Sequence, residues 1–289
     1  MKAFWDEWPK WDTEHSFRTP RFRFDCSLTD YTGKTSQDKI ALLKDRHLLE
    51  IYRDLMVEER IGSIFEIGFF QGGMPLFLAD MAAPKKIVAV DRHPPSDELM
   101  TLIACNNLSS SIELIGGVDQ ADTGRIRSIL DAQFGSEPLD LIIDDCSHFY
   151  AQTKACFEAL FGYLRPGGRY IIEDWAWTHL PGAQWGSYFD GKESMTNLVF
   201  ELVMALGSNY GMIARVDIVS CFCMIVTRGK NPPYKESIDL RAITNIAGER
   251  QAKLIVTAAN APPSTNFPSP LNVNWWSRIW QKTGLGKSR

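Results

Sequence analysis

The chain predicts a doubly wound α/β sheet of seven strands, mostly parallel, with an antiparallel hairpin at one edge. Five short β-branched runs alternate with stretches of helical spacing through its middle. Each run is apolar at nearly every position, as strands buried on both faces are. Two further runs follow with almost no gap, so they can pair only as an antiparallel hairpin.

Taken in order, residues 1 to about 35 are polar and aromatic with weak periodicity, and 36–59 read as a helix. The strand runs are "SIFEIGF" (63–69), "KIVAVDR" (86–92), "SIELIGG" (111–117), "LDLIIDDC" (139–146) and "GRYIIEDW" (168–175). Before the fifth, Phe157, Leu160, Phe161 and Leu164 form an i, i+3, i+4, i+7 stripe ending at Arg165-Pro166-Gly167-Gly168. "MIARVDIVS" and "CFCMIVTRG" make the hairpin, and 236–258 read as helical. "APPSTNFPSP" (261–270) reads as a linker, before an aromatic, basic tail, "NWWSRIWQKTGLGKSR". The expected organisation is an extension with a helix (1–59), an α/β core (60–230) and a C-terminal helix, linker and tail (231–289). Both extensions are expected to be helical or irregular.

At 289 residues, the chain fits one large domain with extensions, or two small ones. A net charge of -4 gives no electrostatic footprint for nucleic acid. The six cysteines have no paired spacing, no apolar leader opens the chain, and no run is long enough to span a membrane. The expectation is a reduced, cytoplasmic, soluble protein, with aromatic termini that favour a homo-oligomer.

In an open α/β sheet, ligands sit at the carboxyl ends of the strands near the switch point. The first run ends Glu66-Ile67-Gly68-Phe69-Phe70-Gln71-Gly72-Gly73. Its G-x-x-x-G-G spacing departs from the G-x-G-x-x-G of dinucleotide loops and disfavours a nicotinamide-dependent reductase. Asp91, 25 residues beyond Glu66, ends the next strand, where an acid accepts hydrogen bonds from a ribose diol.

E-x-G-x-x-x-G followed by such an acid resembles the class I S-adenosylmethionine-dependent methyltransferases, whose Rossmann-like sheet carries an antiparallel strand at its edge. The resemblance implies that Gly68 and Gly72 lie against the methionine part of the cofactor. It also implies that Glu66 supports the loop and Asp91 holds the ribose.

Two later strands end in paired acids, Asp144-Asp145 in "IIDDCSH" and Glu173-Asp174 in "YIIED". Alternation sends the members of each pair to opposite sides. Convergent carboxylates repel unless a cation lies between them, and hard oxygen ligands suit magnesium, with manganese next. Asp145 and His148 stand three residues apart, close enough to serve one site.

D-D-x-S-H followed by R-P-G-G-x-Y-x-I-E-D is similar to the metal-dependent sugar O-methyltransferases of macrolide and aminocoumarin biosynthesis, in the cephalosporin hydroxylase-like group. "GGVDQAD" (116–122) resembles that group's turn after strand three, and "SQDK" (36–39) its N-terminal T-D-K. The resemblance covers roughly residues 36–228. It implies Asp145, Glu173 and Asp174 as metal ligands and His148 as general base, with Asp145 also in the catalytic set. Asp119, Gln120 and Asp144 are implied on the cofactor side. The expected reaction moves the methyl of S-adenosylmethionine to a hydroxyl of a sugar or glycoside. A hydroxylation or methoxylation protein, a catechol-type enzyme and a cofactor-binding scaffold stay as alternatives. Cys146 stands where the group has glycine, and a thiol there admits zinc. Trp175, Trp177, Trp185 and Tyr188 are candidates to stack on an acceptor, although Trp175 reads better as core. His179 is a further polar candidate. The tail (Trp275, Trp276, Ile279, Trp280, Arg278, Lys282) reads as a subunit contact or, weakly, a membrane contact.

Overall fold

The computed structural model describes residues 7–27, 33–179, 188–231 and 233–244. Four short strands come first: β1 (Lys10–Thr13), β2 (Ser16–Arg18), β3 (Arg23–Asp25) and β4 (Ile40–Ala41). Helix α1 (Arg46–Glu58) leads into β5 (Ser63–Ile67), α2 (Gly73–Met81), β6 (Lys86–Val90), α3 (Asp97–Cys105) and β7 (Ile112–Ile115). Then come α4 (Thr123–Phe134), β8 (Leu139–Asp144), α5 (Tyr150–Leu160), β9 (Leu164–Glu173), α6 (Thr196–Ser208), β10 (Ile213–Ser220), β11 (Cys223–Arg228) and the turn α7 (Leu240–Ile243). These elements belong to one compact unit, whereas Tyr188, Phe189 and Asp190 belong to a second.

The main sheet has seven strands in the order β10-β11-β9-β8-β5-β6-β7. Its β5–β9 strands pair in parallel, and β11 runs antiparallel to both β9 and β10. The chain starts in the middle at β5, winds out to β7 and returns to β8. The switch point therefore lies between β5 and β8, where such sheets open a crevice at their carboxyl ends. Register aligns Ile67 with Asp144, and Asp144 with Ile172. The residues just beyond, Gly68, Asp145 and Glu173, consequently share one rim.

Alternation sorts the strand side chains into two apolar layers. Ile64, Ala89, Leu141, Ile143 and Ile171 face α1, α2 and the small N-terminal sheet. Phe65, Val88, Ile142, Tyr170 and Ile172 face α4, α5 and α6.

The four-stranded N-terminal sheet was not legible in the sequence, because strands of two to four residues carry no readable period. Aromatic packing holds it. Phe17 and Phe24 stack with centroids 4.8 Å apart, and Phe77 of α2 meets both edge-on at 5.9 and 6.1 Å. Each fully buried ring contributes roughly 1.5–3 kcal/mol. The helix expected over 36–59 begins only at Arg46. Asp45 caps it by accepting from the Leu48 amide at 2.7 Å, and Ile40–Ala41 pair with β3 instead. The 157–164 stripe also divides. Phe157 and Leu160 end α5, Phe161 lies in a 3-10 turn, and Leu164 opens β9. No described helix is long and apolar enough to cross a membrane.

Asp80 of α2 fastens the small sheet, accepting from the Thr19 hydroxyl, the Arg21 amide at 2.9 Å and Arg21 Nε at 2.5 Å. Asp80→Ala is expected to cost about 2 kcal/mol, since it strips a charged acceptor from those donors. Urea unfolding of the two proteins checks this.

Candidate active site

The rim is built from the first turn after each of three neighbouring strands. After β5, Gly68 adopts φ +96°, and a Cβ there would meet the Asp145 carbonyl oxygen at 2.1 Å. The Asp145 amide donates to the Ile67 carbonyl at 2.9 Å. The β5 and β8 turns thus interlock through backbone that only glycine admits. Gly72, at φ +76°, sits at the start of α2, where a Cβ would strike Leu99 at 2.5 Å.

Asp145 and Glu173 both point into the first apolar layer, and a buried lysine meets them there. Lys44 Nζ donates to Asp145 Oδ2 and to both Glu173 oxygens, each at 2.7 Å. Its side chain is 3% exposed and that of Glu173 2%. The Tyr52 hydroxyl of α1 donates to Glu173 Oε1 at 2.5 Å. Burial opposes the charge on Lys44, but the two carboxylates outweigh it and raise its pKa above the usual lysine range. One ammonium cannot serve two carboxylates equally. Burial works against the charge on Asp145 too, yet Lys44 and then His148 hold its pKa below the usual range. Glu173 is pushed up to about 7 by burial and by the charge of Asp145. Sequence reading missed Lys44. Lys39, in the segment likened to T-D-K, instead pairs with Asp25 at 2.7 Å on the surface.

Asp174 departs from simple alternation. Its φ is +56°, as is that of His148, and both are non-glycine residues in the left-handed region. That turn brings Asp174 Oδ2 to 3.8 Å from His148 Nε2, whose distance to Asp145 Oδ1 is 3.9 Å. Donor atoms of Asp145, His148 and Asp174 all lie within 4.8 Å of one another, the one cluster of three or more potential ligands among the described residues. Burial, then Asp145 and Glu173, lift the Asp174 pKa well above the carboxylate range. Three acids against one lysine leave the rim short of positive charge, so the donor set fits a divalent cation. Glu173, engaged by Lys44 and Tyr52, stands outside the cluster. Burial lowers the pKa of His148, favouring a neutral imidazole that is tied to the Glu173 backbone and lies 4.3 Å from the Trp177 ring at a 48° tilt.

The expected cofactor residues divide into two groups. Glu66 is fully buried on the Lys44 side, and neither carboxyl oxygen has a hydrogen-bond partner. Asp91 Oδ2 accepts from the Phe70 amide at 2.8 Å and Oδ1 from the His93 amide at 2.9 Å, which orients it beside the Gly68 loop. Asp119 is exposed and forms a local turn with the Ala121 amide at 2.8 Å. Asp144 and Gln120 face the opposite layer. Gln120 Nε2 donates to Asp144 Oδ1 at 2.8 Å, and the Tyr170 hydroxyl donates to Oδ2 at 3.2 Å. Burial pushes the Asp144 pKa up to about 8. Gln120 Oε1 accepts from both the hydroxyl and the amide of Ser147. This network pins the Asp145–His148 loop to the turn after β7.

Trp175 packs, partly buried, against the second layer and donates to the Ser220 carbonyl at 2.9 Å, so it lies on the layer opposite the N-terminal sheet. His179 is exposed and pairs with Thr196 Oγ1 at 2.5 Å. Cys146 is partly buried, packs on the second layer and stands outside the donor cluster, which argues against zinc thiolate ligation. Trp185, the linker and the aromatic tail lie outside the described residues.

Gly68→Ala forces a side chain into the Asp145 carbonyl at a positive φ, and is expected to destabilise the protein by about 1–3 kcal/mol or more. Thermal and urea melts against wild type check it.

Residues 65–175 match the family model of a methyltransferase domain. The 8-demethyl-8-alpha-L-rhamnosyl tetracenomycin-C 2'-O-methyltransferase of Streptomyces olivaceus is 36% identical over 88 residues, covering 30% of this chain and 22% of that protein. Demethylmacrocin O-methyltransferase of Streptomyces fradiae is 41% identical over 80 residues, covering 28% and 19%. The chain thus matches about a fifth of the length of these curated relatives. Among solved structures, MycE methyltransferase from the mycinamycin biosynthetic pathway, in complex with Mg, SAH and mycinamycin VI, gives a TM-score of 0.47. It shows 24% identity and covers 64% of this chain and 49% of that one. Residues 65–175 thus match a methyltransferase-domain model, and shorter stretches of the chain are similar to O-methyltransferases that include a rhamnosyl tetracenomycin-C 2'-O-methyltransferase.

Proposed function

We propose that this protein transfers the methyl group of S-adenosylmethionine to a hydroxyl of a glycosylated small molecule, assisted by magnesium. The observation that carries the reading is the meeting of Asp145, His148 and Asp174 at the switch-point rim, against the Gly68 turn. The similarity to an O-methyltransferase of a rhamnosyl tetracenomycin supports the acceptor class.

The residues fit the two groups in different ways. Glu66 is a buried acid with no internal partner, and Gly68 and Gly72 keep the adjoining backbone clear of side chains, so the β5 turn suits the cofactor's amino-acid end. Asp91 keeps lone pairs for a ribose after accepting two amides. Asp145 and Asp174 would hold the cation. Glu173 would join them only by giving up its pair with Lys44. A bound divalent ion lowers the pKa of an attached hydroxyl and fixes which oxygen faces the methyl donor.

The protein's own part in the reaction is proton handling and exclusion of water. A sugar hydroxyl is a poor nucleophile at neutral pH, so its proton must leave as the new C–O bond forms and the methyl–sulfur bond of the sulfonium breaks, releasing the neutral thioether. His148, kept neutral by burial, accepts that proton at Nε2, between the two carboxylates that stabilise the resulting imidazolium. Its backbone bond to Glu173 and the Trp177 ring fix the imidazole's orientation. Asp144, Gln120 and Ser147 hold the loop that carries it.

The position of His148 Nε2 within the donor cluster favours one second reading, in which His148 is a ligand. His148→Ala is expected to lower kcat by about 10²–10⁴-fold while cation affinity stays unchanged. Loss of cation binding in that variant would make His148 a ligand instead.

Calorimetry of S-adenosylmethionine and Mg²⁺ tests the whole reading. Wild type should bind both, and Asp174→Asn should lose about tenfold or more in Mg²⁺ affinity while still binding the cofactor. Transfer to a glycoside acceptor that persists undiminished in EDTA would remove the cation from the mechanism. No cofactor binding at all would remove the methyltransferase reading.

A further inference from the structure

The charge balance around Lys44 leads beyond this reading and rests on its claim that the rim takes a divalent cation. Lys44 reaches the rim from just before α1, held by its amide bond to the Leu42 carbonyl at 2.9 Å and by the Asp45 cap that follows. Its ammonium occupies the Lys44-facing side of Asp145, while Asp145 Oδ1 faces His148. Glu173, the acid that continues β9 toward Asp174, spends both oxygens on the same ammonium. Glu66, on the same face of the sheet, has no hydrogen-bond partner for either oxygen. This buried pocket therefore offers Lys44 one acid beyond those it contacts; burial lifts the Glu66 pKa well above the carboxylate range, and the Lys44 charge opposes that rise.

We infer that Lys44 is a positioning residue that competes with the divalent cation for Asp145 and Glu173, and so sets the affinity of the rim for metal. With the rim free of metal, the ammonium bridges the two acids and holds the β8 and β9 turns together. When a cation takes Asp145 and Asp174, repulsion drives the ammonium away from Asp145 toward Glu66, whose carboxylate then gains a partner. A metal site guarded in this way binds its ion reversibly and more weakly than its carboxylates alone would allow. A lysine serving only to brace Asp145 for the metal would have the opposite effect, because its removal would loosen the ligand.

The test is Mn²⁺ binding to the full chain, followed by electron paramagnetic resonance without cofactor or acceptor, so that no turnover is needed. Lys44→Met removes the ammonium and keeps the stem. It is expected to tighten Mn²⁺ binding by about tenfold or more, and Mn²⁺ should raise its melting temperature more than that of wild type. Lys44→Met alone leaves two buried acids unpaired and endangers folding. Lys44→Met/Glu173→Gln removes one charge of each sign and is expected to fold and bind Mn²⁺ more tightly than wild type. If wild type and the variants bind with equal affinity, or the variants bind more weakly, competition is overturned while the cation reading stands. If folded wild type and folded double variant both fail to bind Mn²⁺, the cation reading falls and takes this inference with it.

Discussion

Three carboxylates on one rim of a sheet set the problem that the rest of the molecule answers. Asp145, Glu173 and Asp174 end neighbouring parallel strands, where register leaves them no freedom to separate. Burial makes each charge costly, and each raises the cost of the others. Lys44 meets one share of that demand. His148, whose own pKa burial lowers, supplies a smaller share at Asp145, and the remaining charge is what the proposed cation would neutralise.

The flanking segments follow from this demand. The small N-terminal sheet packs on α2 through Phe17, Phe24 and Phe77, and Asp80 fastens it. From there the chain runs through Thr35, whose hydroxyl donates to the Gln71 carbonyl at 2.7 Å, and through Ala41, whose carbonyl sits where a Cβ on Gly73 would be. The glycine turn after β5 is thereby covered by the stretch that delivers Lys44 to Asp145 and Tyr52 to Glu173. The opposite layer serves the same rim from below, through Asp144, Gln120, Ser147 and Tyr170.

What could be read from the sequence follows the range of each interaction. The strands were legible because parallel strands buried on both faces are apolar at nearly every position; four of the five runs contain the strand seen, and β9 begins four residues before the fifth. The hairpin was legible from its lack of linker. The paired acids and His148 were legible as a local pattern, and Asp145, His148 and Asp174 do meet. Lys44 was not. It lies 101 residues from Asp145 and 129 from Glu173, and nothing local separates it from a surface lysine. Asp174 shows a second limit. Alternation assigns its side, but a left-handed backbone at a non-glycine residue reverses that assignment, and no period in the sequence announces it.

Anomalous diffraction at the manganese edge, from crystals of the full chain grown with Mn²⁺, tests the central claim most directly. The expected result is a single strong peak between the Asp145 and Asp174 carboxylates, with the Lys44 ammonium withdrawn from Asp145. A rim without a peak, and Lys44 still bridging Asp145 and Glu173, would mean that lysine alone neutralises these acids and that the site works without metal.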